Sequence, residues 1–193
     1  MVTGVTAPVQ RSDAARAYSL ARGHLLAGSR IDMQRLAAEL GVDRSTLFRW
    51  VGSRDRLISQ ILHELGQQAL ARILRNVRDR GFTGAPLVAE ALAGFADELI
   101  TAPFFRAYLR REPERALRLL TTNAGFVQRE MIGAVERLLE KELDPAALSY
   151  PMPVHDLAYL VVRIGESFIY TDLITGGTPD SGKASTALLA LLS

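Results

Sequence analysis

The chain has 193 residues, 48% of them hydrophobic and 23% charged, which is enough to bury a sizeable core in one large domain or two small ones. No run of 18 apolar residues is present, and the opening MVTGVTAPVQRSD lacks the order of a secretory signal, so neither a membrane span nor export is expected and the chain is read as cytoplasmic. Cysteine is absent, which excludes disulfides, thiolate metal sites and cysteine nucleophiles, and the formal net charge is only +2.

That small net charge hides an asymmetry. Residues 1–81 hold 13 Arg, no Lys and 7 acidic residues, a net of +6, whereas residues 82–193 hold 10 basic and 14 acidic residues, a net of −4. A basic first part and an acidic remainder fit a nucleic-acid reader joined to a part that avoids nucleic acid.

Nearly every segment has helical spacing, so an all-α fold is expected. Ala14, Ala17, Ala21 and Leu25 mark a first helix over about residues 12–27, closed by Gly28 and Ser29. Asp32 can cap a second helix, in which Met33, Leu36, Ala37 and Leu40 share a face before Gly41 stops it. Asp43 caps a short third helix, and Ser53 caps a fourth with Asp55 in its first turn. That fourth helix carries Ile58, Leu62, Leu65, Ala69, Ile73 and Val77 on one side, runs to Gly81, and reads as a strut of roughly 40 Å.

Further helices follow over 86–101, over 104–122 with a break at Pro113, and over 123–143. DPAALSYPMP, 144–153, is a proline-punctuated connector, followed by a helix over 154–175 that Gly176 and Gly177 close, and a last one from about Ser181 to Leu192. The expected organisation is a basic first part over 1–56, a connecting helix over 57–81, and an acidic helical part over 82–193.

The chemistry concentrates in LAAELGVDRSTLFRWVGSRDRL, residues 36–57. A helix, a tight turn at Gly41 and a short helix from Asp43 form a helix-turn-helix, whose second helix enters the DNA major groove. Leu47 and Val51, four apart, can face inward, which leaves Arg44, Ser45, Thr46, Phe48, Arg49 and Trp50 facing outward. Arginine forks a guanine, hydroxyls reach bases or phosphates, and an aromatic ring lies against a thymine methyl or a sugar. Arg54, opening the next helix, is placed for phosphate. The competing reading makes Phe48 and Trp50 core residues beneath the long helix, and Arg44 and Arg49 solvated surface charges.

This segment resembles the DNA-binding region of the TetR family of one-component bacterial regulators, through Leu36, Ala37, Gly41, Val42, Thr46, Leu47, Val51, Ser53, Arg54 and Leu57. The resemblance implies base or backbone contacts for Arg44, Ser45, Thr46, Arg49 and Trp50. Two positions depart from the family's pattern. Phe48 replaces its usual tyrosine and cannot donate to a phosphate, and Arg54 replaces its phosphate-contacting lysine while keeping the charge.

The resemblance also implies a homodimer on a palindromic operator, with recognition helices about 34 Å apart. Leu157, Leu160, Val161, Ile164 and Phe168 form one apolar stripe, and Ala184, Leu188 and Leu191 another, both assigned to the dimer face. An apolar effector pocket is implied, with Phe95, Phe104, Phe105, Tyr108, Phe126, Met131, Tyr159 and Tyr170 as candidate lining. Arg163 and Glu166 interrupt an apolar helix three residues apart, and either hold a ligand's polar head or pair with each other. The effector would then be largely apolar with a small polar group, such as an acyl chain with a lactone or carboxylate head, and the overall look is similar to the family's regulators of acyl-homoserine-lactone catabolism. A ligand among these helices would swing the strut and spoil the spacing of the two recognition helices.

GTPDSGKA, 177–184, matches a phosphate loop until Ala184, where Ser or Thr should bind magnesium, and it follows a helix rather than a strand. His63-Glu64 lacks a second zinc-binding histidine, His24, His63 and His155 have no ligand spacing, and no GxSxG elbow is present. Neither an enzyme nor a cofactor or metal is therefore expected. The rival reading is a non-enzymatic helical protein-interaction module whose basic part meets another protein.

Overall fold

The chain is described by a computed structural model covering residues 7–144 and 152–192, with side chains from residue 13 onward; most of the proline-punctuated connector lies outside the described residues. Eleven helices and no strand are present among those residues: α1 (Ala7–Leu26), α2 (Met33–Leu40), α3 (Arg44–Val51), α4 (Arg54–Asp79), α5 (Gly84–Thr101), α6 (Pro103–Arg111), α7 (Pro113–Thr121), α8 (Val127–Glu142), α9 (Val154–Ile169), α10 (Thr171–Ile174) and α11 (Ser181–Leu192).

The first helices are punctuated by short polar side chains. Asp32 accepts from the backbone N–H groups of Gln34 (2.8 Å) and Arg35 (3.1 Å), two of the donors that α2 leaves unpaired at its start. Those two N–H groups hold its carboxyl below the usual carboxylate range. Gly41 ends α2 at φ 70°, a left-handed conformation that costs a residue with a Cβ about 1 kcal/mol or more. Asp43 and Ser53 cap α3 and α4 in the same way, and α6 and α7 each open on a proline, where a missing N–H costs nothing.

Three boundaries differ from expectation. The helix foreseen over 12–27 begins at Ala7. The helix foreseen from 123 begins at Val127, because the preceding turn presses Gly125 onto α7: a Cβ there would lie 3.0 Å from the Leu119 carbonyl oxygen. The helix foreseen over 154–175 breaks at Tyr170, whose backbone (φ −104°, ψ 17°) leaves helical geometry while its ring is buried.

Two large cores result. One joins Ala17 and Leu25 of α1, Leu36 of α2, Leu47 and Val51 of α3, and Leu57, Ile58 and Ile61 of α4 to Phe105 and Leu109 of α6 and Leu119 of α7. The other packs Val88 of α5 with Val135 and Leu139 of α8, Val161 of α9 and Leu188 of α11. The first core crosses the boundary expected at residue 56, with α1 packed on α6 and α4 on α7, so the helix-turn-helix is joined to α6 and α7 through the helices on either side of it. No helix among the described residues is long and apolar enough to cross a membrane.

Leu47, fully buried on the inner face of α3, joins the short helix to this shared core. Leu47→Ala is expected to lower unfolding stability by about 2–5 kcal/mol, read as a shift of the urea midpoint. A cost below about 1 kcal/mol would place α3 outside the core.

Candidate nucleic-acid interface and ligand cavity

The outward face of α3 is built from its cap. The Asp43 carboxylate accepts from the Thr46 backbone N–H (2.8 Å) and from the hydroxyls of Ser45 (2.5 Å) and Thr46 (3.0 Å). The Ser45 hydroxyl and the Thr46 N–H bring the Asp43 carboxyl down to about 2. Thr46 Oγ1 in turn accepts from Arg49 Nη2 at 3.1 Å. The hydroxyls expected to read DNA are thus engaged within the helix, while Arg44 and Arg49 stay exposed. Phe48 is 57% exposed, against the core reading of that ring. Trp50 is half-buried and packs against the first core, so it takes part of the structural role that the competing reading gave it.

Arg54 is not presented to solvent. Its side chain is 14% exposed, its Nη1 and Nη2 donate to the two carboxylate oxygens of Glu112 at 2.7 and 2.6 Å, and its Nε donates to the Ile31 carbonyl at 2.5 Å. Glu112 sits between α6 and α7, and the Arg54 hydrogen bonds lower its carboxyl pKa. Beside this fork, Arg118 donates to Asp55 at 2.8 Å and Arg111 to the Gly28 carbonyl at 2.6 Å, adding two more ties between α6–α7 and the first helices. The exposed arginine in the first turn of α4 is Arg56, whose guanidinium has no ion pair among the described residues. Spacing alone did not separate these two arginines; the phase of buried Leu57 and Ile58 is the signal that could have.

A cavity of about 150 Å³ lies between α4, α5, α6 and α8, closed at one end by Glu166 and Tyr170. Of the residues expected to bind an effector, Phe95, Phe105, Met131, Glu166 and Tyr170 line it, and so does Phe104. Tyr108, Phe126 and Arg163 do not. Tyr108 is buried in the first core, with a hydroxyl that has no hydrogen-bond partner among the described residues. Phe126 precedes α8 and meets His63 edge-on at 5.5 Å between ring centroids. Arg163 points away from the cavity and reaches Glu166 at 2.5 Å from outside. Tyr159, also foreseen in the pocket, is exposed. Gln128, buried beside Glu166, was missed because a single glutamine in an amphipathic helix carries no sequence signal. Burial raises the Glu166 carboxyl to about 7, against the opposing pull of Arg163 and the Gln128 hydrogen bond.

The stripes assigned to the dimer face divide. Leu157, Val161 and Leu188 are buried in the second core of their own chain, whereas Leu160, Ile164, Phe168 and Leu191 retain exposed surface. Tyr159 and Leu189 are two further exposed apolar residues on α9 and α11. The phosphate-loop look-alike runs from the segment after α10 into α11, where Ala184 is fully buried.

A capped helix-turn-helix, a long connecting helix and a cavity-bearing helical body define a two-part, all-helical regulator. Residues 83–193 match the family described as Tetracyclin repressor-like, C-terminal domain, more than half of the chain. The chain belongs to the TetR family and is a DNA-binding transcriptional regulator. Its fold is similar to that of the R. erythropolis transcriptional repressor QsdR from the TetR family, with 24% identity over 94% of each chain and a TM-score of 0.81. It is also similar to the multidrug binding protein EbrR, complexed with imidazole, with 20% identity over 100% of this chain and 98% of that one and a TM-score of 0.64. The TetR family repressor AlkX from Dietzia sp. strain DQ12-45-1b, implicated in biodegradation of n-alkanes, gives 20% identity over 99% and 100% of the two chains and a TM-score of 0.57. At these identities the likeness is one of fold. No curated protein sequence matches the chain.

Between the ordinary carboxylate range and about 7 the folded chain holds a proton on Glu166 that the unfolded chain has lost, so this group's contribution to stability falls as pH rises through that window. Glu166→Gln lacks that titration. Its melting temperature relative to the parent is expected to rise between about pH 5 and about pH 8, and a constant difference would mean that Glu166 is already ionised at the lower pH.

Proposed function

We propose that the protein is a repressor that leaves a palindromic operator when a small, largely apolar effector fills the cavity beside α4. The observation that carries this reading is a shared wall. α6 contributes Phe104 and Phe105 to the cavity, and the α6–α7 junction carries Glu112, which grips the first residue of α4 directly after α3. A ligand that displaces α6 acts on Arg54 and on the Ile31 carbonyl just before the cap of α2, and so on the placement of α3. A differential affinity of a few kcal/mol between the two arrangements is enough for release.

On DNA, Arg44 and Arg49 reach base edges or phosphates, Phe48 lies against a sugar or a thymine methyl, Trp50 supports the helix from its half-buried position, and Ser45 and Thr46 hold the cap. Arg56 takes the phosphate role that the sequence assigned to Arg54. Two copies pair through Leu160, Ile164, Phe168 and Leu191, together with Tyr159 and Leu189, which brings two recognition helices onto one face of the duplex.

The test is selection of the purified protein against random double-stranded DNA, with enriched sites titrated by anisotropy at several salt concentrations. A palindrome with a steep salt slope is expected, and salt-insensitive binding without enrichment would overturn the reading. On the selected site, Arg44→Ala should cost about 1–3 kcal/mol and relax one base pair per half-site. Arg56→Ala should weaken all sequences alike and reduce the salt slope by about one. Arg54→Ala, which leaves the part-buried Glu112 carboxylate only Arg30 and Arg115 at 3.8 Å, should instead lower fold stability by about 2 kcal/mol.

A further inference from the structure

The cavity's charge is one-sided. Its acidic lining groups are Glu98, Glu130 and Glu166, its other titratable lining groups are the His63 ring and the Tyr170 phenol, and none of its described lining residues is an arginine or lysine. Each carboxylate has a counter-cation, but every one of them approaches from outside the wall: Arg72 to Glu98 at 2.5 Å, Arg129 to Glu130 at 3.8 Å and Arg163 to Glu166 at 2.5 Å. These arginine side chains are 60%, 79% and 43% exposed, and Glu98 and Glu130 share that solvent at the rim, whereas Glu166, 12% exposed, acts on an apolar interior. The buried charged group that a molecule inside the cavity meets is therefore a carboxyl, with the Gln67 and Gln128 amides and the His63 ring as its polar neighbours. The cation that the sequence offered to a carboxylate head, Arg163, is on the wrong side of Glu166.

Glu166 also stands where two voids meet. A second void of about 50 Å³ shares Phe95, Met131 and Glu166 with the first, and its other lining residues are aliphatic side chains and Gly165. The polar end of a ligand thus has one deeply placed acidic partner, with the Gln128 amide beside it, and its chain has apolar surface on either side.

We infer that the cavity, on the reading that it is the effector site, takes apolar amines, holding an ammonium head against Glu166 with the alkyl chain along Phe95 and Met131, and that it discriminates against carboxylates of the same length. An ammonium donates to the carboxylate oxygens and offsets their charge, a neutral alcohol donates without offsetting it, and a carboxylate can do neither.

The test is calorimetric titration of the full chain with octylamine, octanol and octanoate at about pH 8, where the first is protonated and the last ionised. Octylamine is expected to bind roughly tenfold or more tightly than octanoate, with octanol between them. Glu166→Gln should narrow the amine-to-octanoate ratio by about threefold or more, and the exposed rim variant Glu98→Gln, which does not put the fold at risk, should narrow it less. Octanoate binding as tightly as octylamine, or a ratio unchanged in both variants, overturns the inference. If octanol binds but the charged pair is in the opposite order, only the head-group assignment falls. If none of the three binds, the effector-cavity reading falls with it.

Discussion

The bidentate fork between Arg54 and Glu112 is the constraint on which the rest of the arrangement depends. Each partner is 14% exposed, and the third guanidinium donor is occupied by the Ile31 carbonyl, so the charges are paired and hydrogen-bonded on nearly every side. A largely desolvated pair of this kind adds little net stability over an apolar replacement, because desolvating two ions offsets most of their attraction. What it supplies is position. It sets the start of α4, and hence the end of α3, relative to the α6–α7 corner, and a mismatch leaves Glu112 only the longer contacts to Arg30 and Arg115 at 3.8 Å.

The shared apolar core makes the same connection without charge. Leu47 and Val51 of α3 and Ile58 and Ile61 of α4 pack in one cluster with Phe105, Leu109 and Leu119, so the helix-turn-helix does not close a core of its own. The α1 end is tied as well: Tyr18 donates to Glu64 on α4, and burial and that carboxylate both raise the phenol's pKa. A cavity between α4, α5, α6 and α8 and a recognition helix on the far side of this core are then two faces of one packed unit. In such a unit a small displacement at one face is transmitted rather than absorbed.

Much of this was legible in the sequence because the signals were local. Asp32, Gly41, Asp43 and Ser53 act on backbone groups two to four residues away, and each does what its spacing announced. The exposure of Phe48 and the burial of Leu47 follow from helical phase. The misplacements all involve partners distant in the chain. Glu112 lies 58 residues from Arg54, so the local sequence does not show the clamp, and only the phase of Leu57 and Ile58, which puts Arg54 on the buried side, sets it apart from Arg56 two positions on. Arg163 and Glu166 were seen as a pair, but which of them faced the cavity depends on how α9 packs on α8, and that is not a property of α9 alone. Tyr108 and Phe126 are apolar enough for either a core or a pocket, and composition does not separate the two.

The central claim is that the recognition helix and the cavity-bearing helices form one cooperative unit. Trp50, the single tryptophan, lies on α3 and packs on the shared core, so its fluorescence reports unfolding at the DNA-binding end while far-UV circular dichroism reports the whole helical body. Thermal unfolding followed by both signals on one sample is predicted to give coincident transitions, as a single cooperative unit requires. A Trp50 transition complete at a distinctly lower temperature, with most of the helical signal intact, would show an independent helix-turn-helix and contradict the account.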